Sequence, residues 1–115
     1  MNSSIVIALP KIDDAKKIRT ILNRHGFSVA AVCSTASTAL ASMSELDGGI
    51  LICGYKLTDR YYRDVLEDIP SYFEMLLLAS GRVIAEAPTS VLTVEMPMKV
   101  SDLVNTVDMM LSQIE

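Results

Sequence analysis

The stretch Ile50-Leu51-Ile52-Cys53-Gly54-Tyr55-Lys56-Leu57-Thr58-Asp59 decides the fold of this 115-residue chain. Its first four residues are apolar without alternation, and polar residues begin only beyond Gly54. A strand with one wet face would alternate between apolar and polar. A continuous apolar run instead fits a strand covered on both faces, as in a parallel sheet between two layers of helices. The polar residues through Asp59 then read as a loop at the strand's carboxyl end.

The same signal recurs on either side. Ser4 to Leu9, closed by Pro10, is a second such run, and Val29 to Cys33, Met75 to Ala79 and Val91 to Val94 are others. Helical segments lie between them. Ile12, Ala15, Ile18 and Leu22 are spaced three or four apart, with Asp13 and Asp14 in the first turn and Arg24, His25 and Gly26 at the end. Acids first, bases last and a terminal glycine match the helix dipole and a left-handed cap. Thr35 to Leu46 reads as an Ala- and Ser-rich helix opened by a hydroxyl cap and closed by Asp47-Gly48-Gly49. A third helix is expected from Tyr61 to Asp68, stopping before Pro70. The last starts at Val100, with Ser101-Asp102 expected as its capping neighbourhood.

Five strands alternating with helices predict an α/β protein with right-handed crossovers, and residues 1–115 are expected to form one domain. One crossover is short. Eleven residues separate Ala79 from Val91, Gly81 and Pro88 among them, which leaves room for a turn or two near Arg82 to Ala87.

Composition narrows the function. Half the residues are apolar, a fifth are charged, and the net charge is −4. Basic residues are scattered outside the first helix, so these residues alone are expected to bind nucleic acid poorly. The apolar runs are too short to span a bilayer and no secretory signal is read, so the cytoplasm is expected, with no membrane partner. Cys33 and Cys53 lie in or beside apolar runs without metal-ligand spacing, which predicts buried free thiols.

The order of these motifs resembles the receiver domain of two-component response regulators. Ile50 to Cys53 with the loop through Asp59 is similar to the receiver strand that ends at the phosphorylated aspartate, and Val91 to Pro97 is similar to the fifth strand with its Lys-Pro ending. The resemblance implies a flavodoxin-like five-stranded parallel sheet, a (βα)5 receiver fold, here with a shortened fourth helix. It also locates the phosphorylation site. The acidic pair that holds Mg²⁺ in receivers corresponds to Leu9 and Pro10, the phosphoacceptor to Gly54, the hydroxyl residue to Ala79, and the Lys-Pro pair to Met96 and Pro97. Phosphoryl transfer to a carboxylate needs both nucleophile and divalent cation, so no catalytic residue, metal or cofactor is expected.

Rescue by other acids is disfavoured. Asp13 and Asp14 read as first-turn dipole partners, Asp59 as a solvated turn residue, and His25 as a surface or capping residue. Within receivers, Cys53 to Leu57, Met75 to Ser80 and Lys99 to Leu103 look like ANTAR-type response regulators, which join this domain to a helical RNA-binding module for transcription antitermination. That likeness implies a non-enzymatic regulator whose RNA contacts lie in a module beyond residue 115. Val100, Leu103, Val107, Met110 and Ile114 repeat at three- and four-residue intervals, a pattern expected to form a dimerising coiled-coil seam that continues past the last residue. Two other readings remain open: a phosphoacceptor using Asp13, Asp14 or Asp59, and a small-ligand domain of flavodoxin-like fold.

Overall fold

The computed structural model describes residues 4–114. The elements run β1 (Ser4–Ala8), α1 (Ile12–Arg24), β2 (Val29–Cys33), α2 (Ala36–Ser44), β3 (Gly49–Gly54), α3 (Tyr62–Asp68), β4 (Phe73–Ala79), α4 (Gly81–Ala85), β5 (Leu92–Glu95) and α5 (Val100–Ile114). The strands form one sheet in the order β2-β1-β3-β4-β5, and every pairing is parallel. The α/β arrangement predicted from the unbroken apolar runs is the one observed, including a fourth helix of only five residues.

Strand side chains alternate between two cores. Ile5, Ile7, Ile50, Ile52, Leu76 and Leu78 point to the face covered by α1 and α5, through Ile18, Leu22, Leu103 and Val107. Val6, Ala8, Leu51, Cys53, Met75 and Leu77 point to the other face, where Ala39 and Met43 of α2 and Tyr62 and Val65 of α3 cover them. Both side-chain sets of the central strands are therefore withdrawn from water, which is why those strands show no alternation in sequence.

Local chemistry sets the helix boundaries. The hydroxyl of Thr35 accepts the Thr38 amide (3.1 Å) at the start of α2. Gly26 takes φ +86° just past α1, a conformation that costs glycine little and other residues more. His25, exposed at the same helix end, donates from Nδ1 to the Ile21 carbonyl (2.9 Å).

One expectation about α5 is corrected and another is narrowed. The amides of Asp102 and Leu103 donate to the Lys99 carbonyl (3.1 and 3.2 Å), so the helix starts one position before Ser101, and Ser101 and Asp102 lie inside its first turn instead of capping it. The five seam positions do not form one free stripe. Leu103, Val107 and Met110 are buried against the sheet, and only Val100 (44% exposed) and Ile114 (38% exposed) remain open at the two ends. A helix of this length beside a parallel sheet needs its central apolar face for the domain's own core. Glu115 lies outside the described residues, as does any continuation of the seam.

Candidate functional site

All five strands point their carboxyl ends to one rim, and in open α/β sheets that rim is where ligands bind. The structure brings four of the predicted positions together there. Leu9 and Pro10 follow β1, Gly54 closes β3, and Met96 follows β5; all four border one cleft of about 600 Å³. Ala79, at the end of β4, is buried and accepts the Met96 amide (2.8 Å) through its carbonyl, while Pro97 is exposed beyond a cis Met96–Pro97 peptide. Neither Ala79 nor Pro97 lines the cleft.

The direction in which a side chain at residue 54 would project is already filled. A Cβ added to Gly54 would lie 3.1 Å from Leu9 Cδ2 and 3.4 Å from Pro10 Cδ. Leu9 is held there by its amide, which donates to the Cys33 carbonyl (3.1 Å), and by burial to 8% exposure. The receiver resemblance calls for a Mg²⁺ ion at this rim, and the donor set does not fit one. Hard cations want several oxygen ligands, and the one carboxylate bordering the cleft is that of Asp14. Among the described residues no group of three His, Cys, Asp or Glu side chains converges to hold a metal ion.

Tyr55, which the sequence places beside Gly54 at the strand-end rim, lines the cleft from the loop after β3. Two further residues were not singled out as site residues: Lys56 lines it from the same loop, and Lys17 lines it from α1, one turn beyond Asp14. Only the sheet order brings these two lysines to one cleft. Tyr55 also stands beside a second depression of about 370 Å³, shared with Tyr61, Tyr62 and Arg63. Its ring meets that of Tyr61 edge-on at 5.3 Å between centroids, and the Lys56 amine lies 5.3 Å from the Tyr61 ring centroid.

Asp59 departs from the expected solvated turn. Although exposed, its carboxylate accepts the amides of Ala36 (2.7 Å) and Ser37 (3.2 Å) and the Ser37 hydroxyl (3.2 Å). It thus caps α2 from a distant loop. These bonds, the Ala36 amide first, hold its carboxyl below the usual carboxylate range. The hydroxyl and amide of Thr58 also donate to the Ser34 carbonyl (3.1 and 3.3 Å), so the loop after β3 is tied to the start of α2. Asp13 and Asp14 sit in the first turn of α1 as expected.

Both cysteines are free and buried. Burial pushes the Cys53 thiol up to about 12. The Cys33 thiol is also raised by burial, against a smaller opposing effect of a Ser42 hydrogen bond.

The architecture is the receiver fold. The receiver domain of a Francisella response regulator superposes with a TM-score of 0.81 at 14% identity, over 99% of this chain and all (100%) of that one. The signal receiver domain of an HD domain-containing protein from Pseudomonas fluorescens gives 0.82 at 15% identity, over 97% of this chain and 88% of that one. A streptococcal protein, one of a family of redox sensors evolved from two-component response regulators, gives 0.81 at 16% identity and 97% of this chain; the chain spans about half (52%) of that protein. No family model matches the chain, and no curated protein matches it. Among the described residues no helix is long and apolar enough to cross a membrane.

Proposed function

We propose that the chain is a regulatory, non-enzymatic receiver-like domain that signals by contact, without phosphorylation, in a cytoplasmic regulator of transcription antitermination. One observation supports the reading: a Cβ on Gly54, the position that the receiver resemblance assigns to the nucleophile, would meet the side chains of Leu9 and Pro10. A glycine has no group to esterify, and an apolar floor offers no ligands to the cation that phosphoryl transfer requires. Signal output then depends on which partner or conformation this surface favours.

The finer assignment rests on the similarity of Cys53 to Leu57, Met75 to Ser80 and Lys99 to Leu103 to ANTAR-type regulators. In that reading RNA is bound by a separate helical module of a longer polypeptide, and two copies associate through α5. The buried middle of α5 restricts the contact to what remains exposed, Val100, Met109 and Ile114. Both sulfurs are buried and burial raises both thiols, which disfavours the thiolates that thiol-based sensing needs.

Incubation with acetyl phosphate and Mg²⁺, followed by intact-mass measurement, tests the reading. No mass gain is expected; a phosphoryl adduct on Asp13, Asp14 or Asp59 would replace it with a displaced phosphoacceptor. A downstream coding region without a Lys- and Arg-rich helical segment would remove the antitermination assignment. Sedimentation at high micromolar concentration should show a dimer, and a monomer would remove the α5 contact.

A further inference from the structure

The rim cleft is larger and more apolar than the loss of a phosphorylation site requires. Its volume, about 600 Å³, falls in the usual range of small-molecule sites, about 300 to 1,000 Å³. Leu9, Ile18, Ile21, Leu78, Met96 and Met98 supply an apolar lining drawn from the ends of β1 and β4, α1 and the segment after β5. Methionines make such a wall adaptable in shape.

The polar groups at the same cleft are few and unequal in sign. Lys17 approaches from α1 and Lys56 from the loop after β3, against the single carboxylate of Asp14. Among the described residues the only ion pair is Arg60–Asp68, so neither lysine is held in a direct salt bridge, although Asp14 borders the same cleft and the Lys56 amine also lies 5.3 Å from the Tyr61 ring centroid. In a chain of net charge −4, the side chains bordering this apolar cleft thus carry two positive charges against one negative. A few placed charges over an apolar body are what fix the orientation of a small amphipathic ligand.

We infer that this cleft binds a small organic acid, an apolar aromatic or aliphatic body seated on Leu9, Ile18, Leu78 and Met98 with its carboxylate between Lys17 and Lys56. The inference rests on the reading that the rim carries no phosphoryl group, and it supplies the input which that reading leaves open. Gly54 has a part in it: with no side chain, it leaves Leu9 and Pro10 as the floor. Binding would couple α1 to the loop after β3, since the acid bridges a lysine from each.

The test uses 2-naphthoate and its neutral analogue 2-naphthalenemethanol, titrated into the ¹⁵N-labelled protein and followed by amide correlation spectra. Naphthoate should shift amides at Ile18, Gly54, Tyr55 and Met98 in a saturable way, and the alcohol should bind more weakly. A double substitution, Lys17→Met with Lys56→Met, removes two exposed charges with little risk to the fold. It should weaken naphthoate by about fivefold or more while leaving the alcohol unchanged. Shifts that are absent or scattered, an alcohol that binds as tightly as the acid, or undiminished binding by the double variant would each overturn the inference. Tight binding of the alcohol would indicate an apolar tail of a partner protein instead. The mass measurement with acetyl phosphate fails separately: no adduct and no naphthoate site would remove this inference and leave the functional reading standing.

Discussion

The two ends of β3 are both glycine, both buried, and glycine for different reasons. At the amino end, a Cβ on Gly49 would lie 1.8 Å from the Ser4 carbonyl oxygen and 2.6 Å from the Ser4 nitrogen, and φ is +149°. Those are backbone atoms of the neighbouring strand, fixed by the ladder that pairs Ser4 with Gly49. At the carboxyl end, a Cβ on Gly54 would meet only side-chain carbons of Leu9 and Pro10, at 3.1 and 3.4 Å. One glycine is demanded by backbone approach, the other by what neighbouring side chains occupy. The first belongs to the fold and the second to the site.

Gly49→Ala should accordingly be the most damaging single change, lowering unfolding free energy by more than about 3 kcal/mol through strain and steric overlap with an immovable strand. Denaturant unfolding measures it; a loss below about 1 kcal/mol would show that the strand entry can yield and would break the contrast.

The residue before Gly54 sharpens it from another side. Cys53 is fully buried and its thiol is pushed up to about 12, so thiolate is scarce even in mildly alkaline solution. Aromatic disulfide reagents should label the native protein more than about tenfold more slowly than the unfolded chain. Labelling at the unfolded rate would mean that the carboxyl end of β3 opens readily, and a rim of that kind could not be a formed cleft.

Gly54→Ala should cost about 1 kcal/mol, because the contact at 3.1 Å is with a side-chain methyl of Leu9, which needs to shift by only a few tenths of an ångström. Gly54→Asp would place a carboxylate at the position that the receiver resemblance assigns to the phosphoacceptor, without added metal ligands, so no mass gain with acetyl phosphate is expected from it either. A Gly54→Ala variant as unstable as Gly49→Ala would erase the distinction between the two ends.

The fold was legible where chemistry is local. The unbroken apolar run Ile50 to Cys53 fitted a doubly covered strand, Gly26 ended α1 as its position after Arg24 and His25 implied, and the short stretch after Ala79, read as a turn or two near Arg82 to Ala87, holds the five-residue α4 at Gly81–Ala85. The positions assigned to a phosphorylation site rest on the resemblance alone, and the structure brings four of them, Leu9, Pro10, Gly54 and Met96, to one cleft. What was not legible is long-range. Periodicity alone makes Val100, Leu103, Val107, Met110 and Ile114 one stripe, and only the sheet beneath α5 separates its buried middle from its exposed ends. Lys17 and Lys56 are 39 positions apart and border one cleft because β1 and β3 are adjacent. Asp59 looked like a loop acid because its partners, Ala36 and Ser37, precede it by more than twenty residues.

Asp59 gives the smallest and most pH-dependent effect, and it concerns how the carboxyl end of β3 is held. The amino end is fixed by ladder bonds; the loop beyond Gly54 is held to α2 partly by this one carboxylate. Asp59→Ala leaves the Ala36 and Ser37 amides to water and should cost about 0.5 to 1 kcal/mol, the low end of a lost helix cap because the group is exposed. The folded-state pKa of Asp59 is lowered, the amide of Ala36 being the largest cause, so its contribution is full above the ordinary carboxylate pKa of about 4 and is lost as pH falls through the lower folded value. The stability gap between wild type and Asp59→Ala should therefore be constant near neutrality and close on acidification, while Asp59→Asn, which keeps an acceptor oxygen, should fall between them at neutral pH. Urea unfolding of the three proteins at neutral and acidic pH decides it. A gap that widens in acid would mean that the loop is held by something other than an ionised carboxylate.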